Sequence, residues 1–188
     1  MIDDRALLNS IAQREEWAFK ELFERYKDRV YNAVLHIVQQ VEDAEEITQD
    51  VFVEIHRGAS SFKGDAAVGT WVYRIATNRS LDRLRQRQRK KQGIIAFFFG
   101  EVPENADNHT MEHPAANGDD AALYHEIQGL PERQRIAVVL TYLEGLPQRE
   151  VAAAMSVNLK ALESLLSRAK VTLRGKLRPA KERVMNDV

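Results

Sequence analysis

The chain has 188 residues, a formal net charge of -1 and no cysteine. This length allows one ordinary domain or two small ones, and the absence of cysteine excludes disulfides, thiol catalysis and cysteine-ligated zinc. The N-terminus lacks the basic and apolar blocks of a signal peptide. The longest apolar run, residues 94–99, is too short to cross a bilayer. We therefore predict a soluble, cytoplasmic protein.

The small net charge hides a strong segregation of charge along the chain. Residues 70–92 hold eight Lys or Arg and one acid, residues 93–129 hold seven acids and no Lys or Arg, and residues 160–188 hold eight Lys or Arg and three acids. Two basic blocks separated by an acidic one suggest two contacts with a polyanion. For one basic block alone, the simpler explanation is a charged helix that solvates its outer face.

The N-terminal part of the sequence predicts a helical bundle. Helix formers dominate and Gly and Pro are sparse, which indicates an all-α fold. Residues 17–38 place apolar side chains at helical spacing, as one stripe. Asp43 and Glu46 have the spacing of a capping box, with Asp replacing the usual Ser or Thr, and predict the start of the next helix. Thr70 is the predicted N-cap of a third helix, which ends in a basic tail near Lys91.

The periodicity fails from Gly93 to about Ala121, where Gly, Pro, Asn and Asp residues predict a linker. The apolar run 94–99 lies inside it. Two interpretations of this run stay open, namely packing on the bundle or contact with a partner.

Three further helices are predicted after the linker. Pro131 suits the first turn of the first helix, and Gly145 is a reasonable stop for it. A short helix at 147–155 and a long one from Leu159 to about Leu177 follow.

The most specific pattern is a helix-turn-helix at residues 148–168. Two helices that cross steeply need a small residue at their contact, apolar residues inside and a tight turn between them. Ala152 is the small residue, and Ser156 stands at the turn position often held by Gly. The inward apolar positions are Val151, Met155, Val157, Leu162 and Leu165. A generic three-helix bundle shares this pattern, but the basic second helix favours DNA binding.

In that interpretation the helix from Leu159 enters the major groove by its N-terminal part. The predicted DNA-contacting residues are Arg149, Lys160, Glu163, Ser164, Ser167, Arg168, Lys170 and Arg174. Lys and Arg can read guanine edges, and Glu can accept from cytosine. Arg149, Arg174 and Lys176 are predicted to contact phosphates, which adds affinity without sequence information.

A second candidate site is the basic segment 71–85, which begins with aromatic residues. Aromatic rings beside a basic helix offer exposed single-stranded bases a stacking surface and neutralise their phosphates. Trp71 and Tyr73 fit a hydrophobic core equally well, and for Trp71 alone the core is the simpler explanation.

A third cluster is acidic. Six carboxylates fall within thirteen residues that hold no Lys or Arg, namely Glu42, Asp43, Glu45, Glu46, Asp50 and Glu54. A face this negative repels DNA, so it is either a solvated helix face or the contact for another partner.

Three segments resemble the extracytoplasmic-function (ECF) family of bacterial RNA polymerase sigma factors. Residues 43–52 look like its polymerase-binding helix, and residues 70–78 with Asp82 and Arg85 resemble its promoter-melting segment. Residues 130–135 and 144–146 resemble the opening of its C-terminal domain. The family's recognition helix often begins with a Gly-Thr-Val run, whereas this chain has Leu159-Lys160-Ala161, which leaves the preferred bases open.

The resemblance implies a two-domain, all-helical sigma factor. Residues 1–92 would bind core polymerase and recognise and melt the minus-ten element, residues 93–122 would be a flexible linker, and residues 123–188 would read the minus-thirty-five element. The implied polymerase-binding residues are Asp43, Glu46, Gln49, Asp50 and Glu54. The implied minus-ten residues are Phe62, Lys63, Trp71, Tyr73, Arg74, Asn78, Arg79, Asp82 and Arg85.

The implied partners are the β′ and β subunits of core RNA polymerase, promoter DNA and an anti-sigma factor. The linker is long enough to let the two domains separate and re-dock. We therefore expect an anti-sigma factor, rather than the other domain, to cover each of them.

Two other functions would each use part of the sequence. A stand-alone helix-turn-helix regulator would explain the C-terminal domain, but neither the acidic helix nor the melting segment. A metal hydrolase would have to use the scattered His36, His56, His109, His113 and His125, none of which shows HExxH spacing. We predict no catalytic residue, no metal, no cofactor and no small-molecule substrate.

Overall fold

A computed structural model of the chain describes the backbone of residues 2–98 and 119–185, and the side chains of residues 2–89 and 122–177. Over these ranges the chain forms eight α-helices and no strand, which confirms the all-α prediction. The N-terminal half contains α1 (Asp4–Ala12), α2 (Glu16–Val38), α3 (Val41–Gly58) and α4 (Val68–Phe98). The C-terminal half contains α5 (Asp119–Gln128), α6 (Glu132–Val138), α7 (Gln148–Ala154) and α8 (Leu159–Met185). None of these helices is both long enough and apolar enough to span a membrane.

The N-terminal half is a bundle around α2. The apolar stripe predicted for this helix is confirmed, since Leu22, Val30 and Val34 are fully buried. The inner face of α3 is buried against it through Ala44, Ile47, Val51 and Ile55. Helix α4 closes the bundle by packing against both α2 and α3.

Helix α1 was not predicted from the sequence. It buries Leu7, Leu8 and Ile11 against the bundle. Its start is held by polar contacts, because Arg25 Nη1 and Tyr26 Oη donate hydrogen bonds to the carboxylate of Asp4 at 2.9 and 2.5 Å. Burial and this hydrogen bond together raise the pKa of Tyr26.

Two predicted helix starts are wrong. Helix α3 begins at Val41 after an N-cap residue that makes no side-chain cap, so there is no capping box. The carboxylate of Asp43 is instead buried in ion pairs with α4. Helix α4 begins at Val68, and the hydroxyl of Thr70 lies in its first turn and donates to Glu150 of α7.

The C-terminal half follows its predicted outline, with one addition. Pro131 is the N-cap of α6 rather than a residue of its first turn. After Val138 the helix widens into a π turn, Val139–Leu143, which was not predicted. Gly145 then stops it with φ at +68°, as expected of a glycine in the left-handed region.

Helix α4 continues to Phe98, beyond the end predicted near Lys91. A single glycine inside a helix costs only about 1 kcal/mol, so Gly93 does not have to end it. The predicted linker residues 99–118 lie outside the described residues. The side chains of the apolar run 94–99 also lie outside them.

The two halves pack against each other. Helix α7 lies on α4, and both α6 and the π turn contact α2. This arrangement contradicts the expectation that only a partner protein would cover each half.

Candidate nucleic-acid interface

The helix-turn-helix predicted at 148–168 is formed by α7 and α8. Val151, Ala152 and Leu162 are buried between the two helices. Ser156 has φ at 54°, so it holds the left-handed turn position that glycine often occupies. Asn158 Oδ1 accepts a hydrogen bond from the backbone N–H of Ala161 at 2.8 Å and caps the start of α8.

The inner face of this motif differs slightly from its prediction. Met155 is buried as expected, whereas Val157 and Leu165 are only partly buried. Leu166 and Ala169 complete the inner face instead.

The outer face of α8 is an exposed cationic surface. The predicted DNA-contacting residues that are exposed are Arg149, Lys160, Glu163, Ser167, Arg168, Lys170 and Arg174, and Ser164 is half-buried. Arg168 Nη2 donates to Ser164 Oγ at 3.1 Å, and Lys170 Nζ lies 5.5 Å from the ring centroid of Tyr142. Among the described side chains, neither these two residues nor Lys160 or Arg174 is ion-paired with a carboxylate. Their charges are therefore available to an external anion.

Two arginines of α4, unlike the unpaired basic residues of α8, are paired with carboxylates. Arg79 Nη2 pairs with Glu54 at 2.7 Å, and Arg83 pairs with Asp43 at 2.6 Å and with Glu46 at 2.7 Å. These hydrogen bonds raise the pKa of Arg79 and of Arg83, and the bond to Arg83 lowers the pKa of Glu46. The basic helix is thus neutralised along one side by the acidic helix that precedes it.

The predicted polymerase-binding residues divide into two groups. Glu46, Gln49, Asp50 and Glu54 lie at helical spacing on the outer side of α3, and we call them the acidic surface. Asp43 lies beneath this surface, 9% exposed and paired with Arg83 and Arg87. Its role in the described structure is to join α3 to α4.

The loop before α4 and the start of that helix form an aromatic cleft. Phe62 and Trp71 are half-buried, and their ring centroids are 5.4 Å apart at an interplanar angle of 53°. Together with Lys63 and Arg74 they line a cleft of about 340 Å³, whose wall also includes Ala153 of α7. Aromatic rings with cations beside them are suited to a nucleic-acid base and its phosphate.

Glycine shapes the loop of this cleft at one position. Gly64 has φ at +76°, and Arg5 of α1 approaches it so closely that a Cβ would lie 2.4 Å from Arg5 Nη2. Helix α1 thereby supports the loop.

The remaining predicted minus-ten residues are split between core and surface. Tyr73 is 1% exposed. Its position therefore fits the alternative interpretation, that it is a core residue. Its hydroxyl donates to Glu144 of the C-terminal half, and burial, with this hydrogen bond, raises its pKa. Asn78, Asp82 and Arg85 are exposed on α4 and line a groove of about 890 Å³ opposite Arg168 of α8.

Sequence reasoning missed the residues that join the two halves. Arg135 is 7% exposed, and its guanidinium donates to the carbonyl of Ile37 through Nε at 3.2 Å and Nη2 at 3.0 Å. Nη1 donates to the carbonyls of Gln128 at 3.1 Å and Leu130 at 3.0 Å. Burial lowers the pKa of Arg135 to about 10, so the side chain is still charged at neutral pH. The resemblance drew attention to residues 130–135, but nothing in their spacing separates a buried arginine from an exposed one.

The described part of the chain offers no group of three His, Cys, Asp or Glu that could hold a metal ion. Two of the scattered histidines have structural contacts. His36 is stacked on Tyr124 with ring centroids 5.1 Å apart, and His56 meets the edge of Phe19 at 5.2 Å.

Two family models match the chain on either side of the predicted linker. The model for Sigma-70 region 2 matches residues 22–90, and the model for Sigma-70, region 4 matches residues 120–173. The first runs from within α2 through α3 to residue 90 of α4, and the second runs from the start of α5 to residue 173 of α8.

Curated relatives match over nearly the full length. The chain is 28% identical over 182 residues to the RNA polymerase sigma-H factor of Pseudomonas aeruginosa, covering 94% of each chain. It is 31% identical over 173 residues to the ECF RNA polymerase sigma factor SigK of Mycobacterium tuberculosis, covering 90% of each chain.

Two solved structures share the fold. CnrH, solved in complex with the cytosolic domain of CnrY, aligns with a TM-score of 0.66 at 24% identity, covering 94% of this chain and 97% of that one. The sigma factor RpoE from Bartonella quintana, solved with the anti-sigma factor NepR, aligns with a TM-score of 0.69 at 21% identity, covering 85% and 96%.

Proposed function

The chain belongs to the ECF family of RNA polymerase sigma factors, and from that premise we propose how its charged surfaces divide the steps of transcription initiation. The acidic surface of α3 binds core polymerase. The aromatic cleft and the exposed side of α4 hold the single-stranded minus-ten element after melting. The outer face of α8 reads the minus-thirty-five element as duplex.

One observation carries this proposal. The acidic surface of α3 and the cationic outer face of α8 lie on separate halves of the chain, and key members of both have no ion-pair partner among the described side chains. Asp50 on α3 is one, and Lys160 and Arg168 on α8 are two others. Charged groups arranged in this way steer association and select a partner of complementary charge. A negative surface does not bind DNA, so the two surfaces require two different partners.

The proposed domain roles follow the same division. Residues 1–92 carry the contacts with polymerase and with the minus-ten element, residues 93–122 are the linker, and residues 123–188 carry the contacts with the minus-thirty-five element. The β and β′ subunits are the proposed polymerase partners. The chain acts by binding, without catalysis of its own, in the cytoplasm where its polymerase works.

An anti-sigma factor is a further proposed partner. RpoE of Bartonella quintana was solved bound to the anti-sigma factor NepR, and it shares the fold of this chain. We propose that a protein of this class controls the present chain as well.

The test is core-polymerase binding by the variant Asp50→Lys with Glu54→Lys. Two lysines would face a surface that accepts carboxylates, and such like-charge contacts are penalised. We expect core affinity to fall at least about tenfold, with a parallel loss of run-off transcription. The matched control is Glu16→Lys with Glu24→Lys, which adds the same charge at exposed positions of α2.

A folded Asp50→Lys and Glu54→Lys variant with unchanged core affinity would remove the assignment of the acidic surface. A wild-type chain that binds promoter duplex equally well with and without core polymerase, and gives no run-off transcript, would favour a stand-alone regulator.

A further inference from the structure

Helix α1 brings an arginine to the loop that borders the aromatic cleft. Arg5 lies in the first turn of α1, and its guanidinium lies against the backbone of Gly64, where a Cβ would be 2.9 Å from Arg5 Cζ and 3.4 Å from Nε. Gly64 itself lines the aromatic cleft, next to Lys63. Because a side chain at this position would push the two apart, glycine allows Arg5 to lie directly on the loop.

The backbone that carries Arg5 is fixed by its neighbours. The preceding residue, Asp4, accepts hydrogen bonds from Arg25 at 2.9 Å and from the hydroxyl of Tyr26 at 2.5 Å. The same hydroxyl would lie 3.4 Å from a Cβ on Gly69, at the start of α4. Helix α1 also packs against the turn Ala59–Ser61 that leads into the loop. The start of α1 is therefore held at a set position beside α4 and the loop.

The charge of Arg5 is not neutralised by the described part of the protein. Arg5 is exposed, and its guanidinium forms no hydrogen bond or ion pair with another described residue. Of the carboxylates nearby, Asp4 and Glu150 each accept a hydrogen bond from a tyrosine or threonine hydroxyl. Asp3 and Asp65 are exposed to solvent, where salt screens their charge. An arginine in this state can offer a fork of N–H donors to a phosphate.

A second cleft continues the aromatic cleft beyond Phe62. It has a volume of about 430 Å³, and Arg5 is part of its lining. Phe62, Ala66 and Thr70 line both clefts, so the two are neighbours on either side of these residues. A strand that places a base in the aromatic cleft can thus pass an adjacent phosphate in front of Arg5.

We propose that Arg5 binds a backbone phosphate of the melted strand, which extends the single-strand surface from α4 to α1. The inference rests on the proposed function of the aromatic cleft. Lys63 and Arg74 lie beside the rings, and Arg5 adds a third cation beyond Phe62. A phosphate contact carries no base preference, so Arg5 contributes affinity and register rather than sequence choice. Residue 5 lies outside the range 22–90 that the Sigma-70 region 2 model matches, so the match assigns it no role.

The test uses holoenzyme assembled from core polymerase and the full chain. A random pool of single-stranded DNA is first selected on the wild-type holoenzyme, and one selected strand, labelled with a fluorophore, becomes the probe. Arg5→Gln removes the charge and keeps a polar side chain. The matched control is Arg14→Gln, which removes the same charge from an exposed residue beyond the other end of α1, about 13 Å along the helix. Binding is measured by fluorescence anisotropy at several salt concentrations, with core polymerase alone as the background.

We expect Arg5→Gln to weaken binding about fivefold and to lower the slope of log affinity against log salt concentration by about 0.7, the value for one single-strand phosphate. Arg14→Gln should leave affinity and slope at their wild-type values. Arg5→Lys should restore most of the slope, because lysine keeps the positive charge.

A scan of the probe locates the contact. Each phosphate is replaced in turn by a neutral methylphosphonate. At one position the wild-type holoenzyme should lose affinity, whereas the Arg5→Gln holoenzyme should lose none. The melting temperature of each free variant checks its fold. If Arg5→Gln does not fold, Arg5→Met replaces it in both measurements, since it keeps the aliphatic stem on Gly64 without the charge.

Equal losses of affinity for Arg5→Gln and Arg14→Gln would overturn the proposal, because only the overall charge would then matter. A loss with an unchanged salt slope and a wild-type methylphosphonate profile would also overturn it, since Arg5 would then only support the loop. The proposed function fails differently: the wild-type holoenzyme would select no strand from the pool or give no run-off transcript. Failure of the Arg5 contact leaves both of these intact.

Discussion

The arginines of α4 and the basic residues of α8 differ in what neutralises them. Arg79 and Arg83 are bonded to carboxylates of the adjacent helix α3. Lys160 and Arg168 have no carboxylate partner among the described side chains. A paired arginine must exchange one anion for another before it binds phosphate, whereas an unpaired one has only water and counterions to displace.

The difference suggests an order of events for this sigma factor. Helix α8 is ready for duplex DNA, because its outer cations Lys160 and Arg168 are exposed and, among the described side chains, unpaired. Arg79 and Arg83 of α4 become available to phosphate when Glu54 and Glu46 bind another partner instead. These two glutamates belong to the surface that we assign to polymerase. Polymerase binding would in this way release cations for the melted strand.

The largest effect on DNA binding that distinguishes α8 from α4 should come from a substitution in α8. Arg168→Ala should reduce discrimination between upstream elements by about 1–3 kcal/mol if the guanidinium reads a base edge. The control is Arg174→Ala, a predicted phosphate contact that should weaken all sequences alike and lower the salt slope by about 1. Competition binding with a set of duplexes at several salt concentrations measures both. Equal losses on every sequence for Arg168→Ala would make it a phosphate contact.

A smaller effect should come from releasing one arginine of α4. Glu54→Gln frees Arg79, and an exposed ion pair is worth about 0–1 kcal/mol. The affinity of free protein for single-stranded DNA should rise by up to about fivefold, more at low salt than at high salt. Glu45→Gln makes the same change of charge on the same helix at an exposed acid with no ion-pair partner among the described side chains. If both variants gain equally, pairing does not mask Arg79.

The smallest effect should appear in the dependence of stability on pH. The hydrogen bond from Arg83 lowers the folded-state pKa of Glu46 below its ordinary value. The pair therefore stabilises the fold above pH 4.5, and this contribution is lost as the pH falls through the lowered pKa. The difference in melting temperature between wild type and Glu46→Gln should shrink below that pH. A difference that stays constant down to strongly acidic pH would mean that the pair contributes nothing.

The periodicity of apolar residues predicted most of the helices. At the candidate site it predicted the helix-turn-helix, but not the contacts between the two halves. The stripes of α2 and α3 and the helix-turn-helix were readable, because a repeat of apolar residues reports burial directly. Helix α1, with three buried apolar residues in nine, offered too short a repeat. The capping box failed because the same acid can cap a helix or pair with a distant arginine, and Asp43 does the second.

The contacts between the halves could not be read from one sequence. Arg135, Glu144 and Glu150 are ordinary surface residue types, and their partners lie far away along the chain. Thr70 and Glu150, for example, are 80 positions apart. Only the way in which α6 and α7 dock on α2 and α4 decides that these charges become buried.

The backbone of Gln39 has a consequence for how the molecule moves. A residue other than glycine in the left-handed region carries strain on the order of 1 kcal/mol, and Gln39 has φ at 59°. Its bond to Gln128 offsets this strain while the halves are closed. Once they part, this conformation keeps only the backbone hydrogen bond from the Gln39 N–H to the carbonyl of Leu35, and the last turn of α2 is the place where the helix frays. In hydrogen-exchange experiments, the amides of residues 36–39 should therefore lose protection first. Their exchange rate would then measure how often the two halves separate.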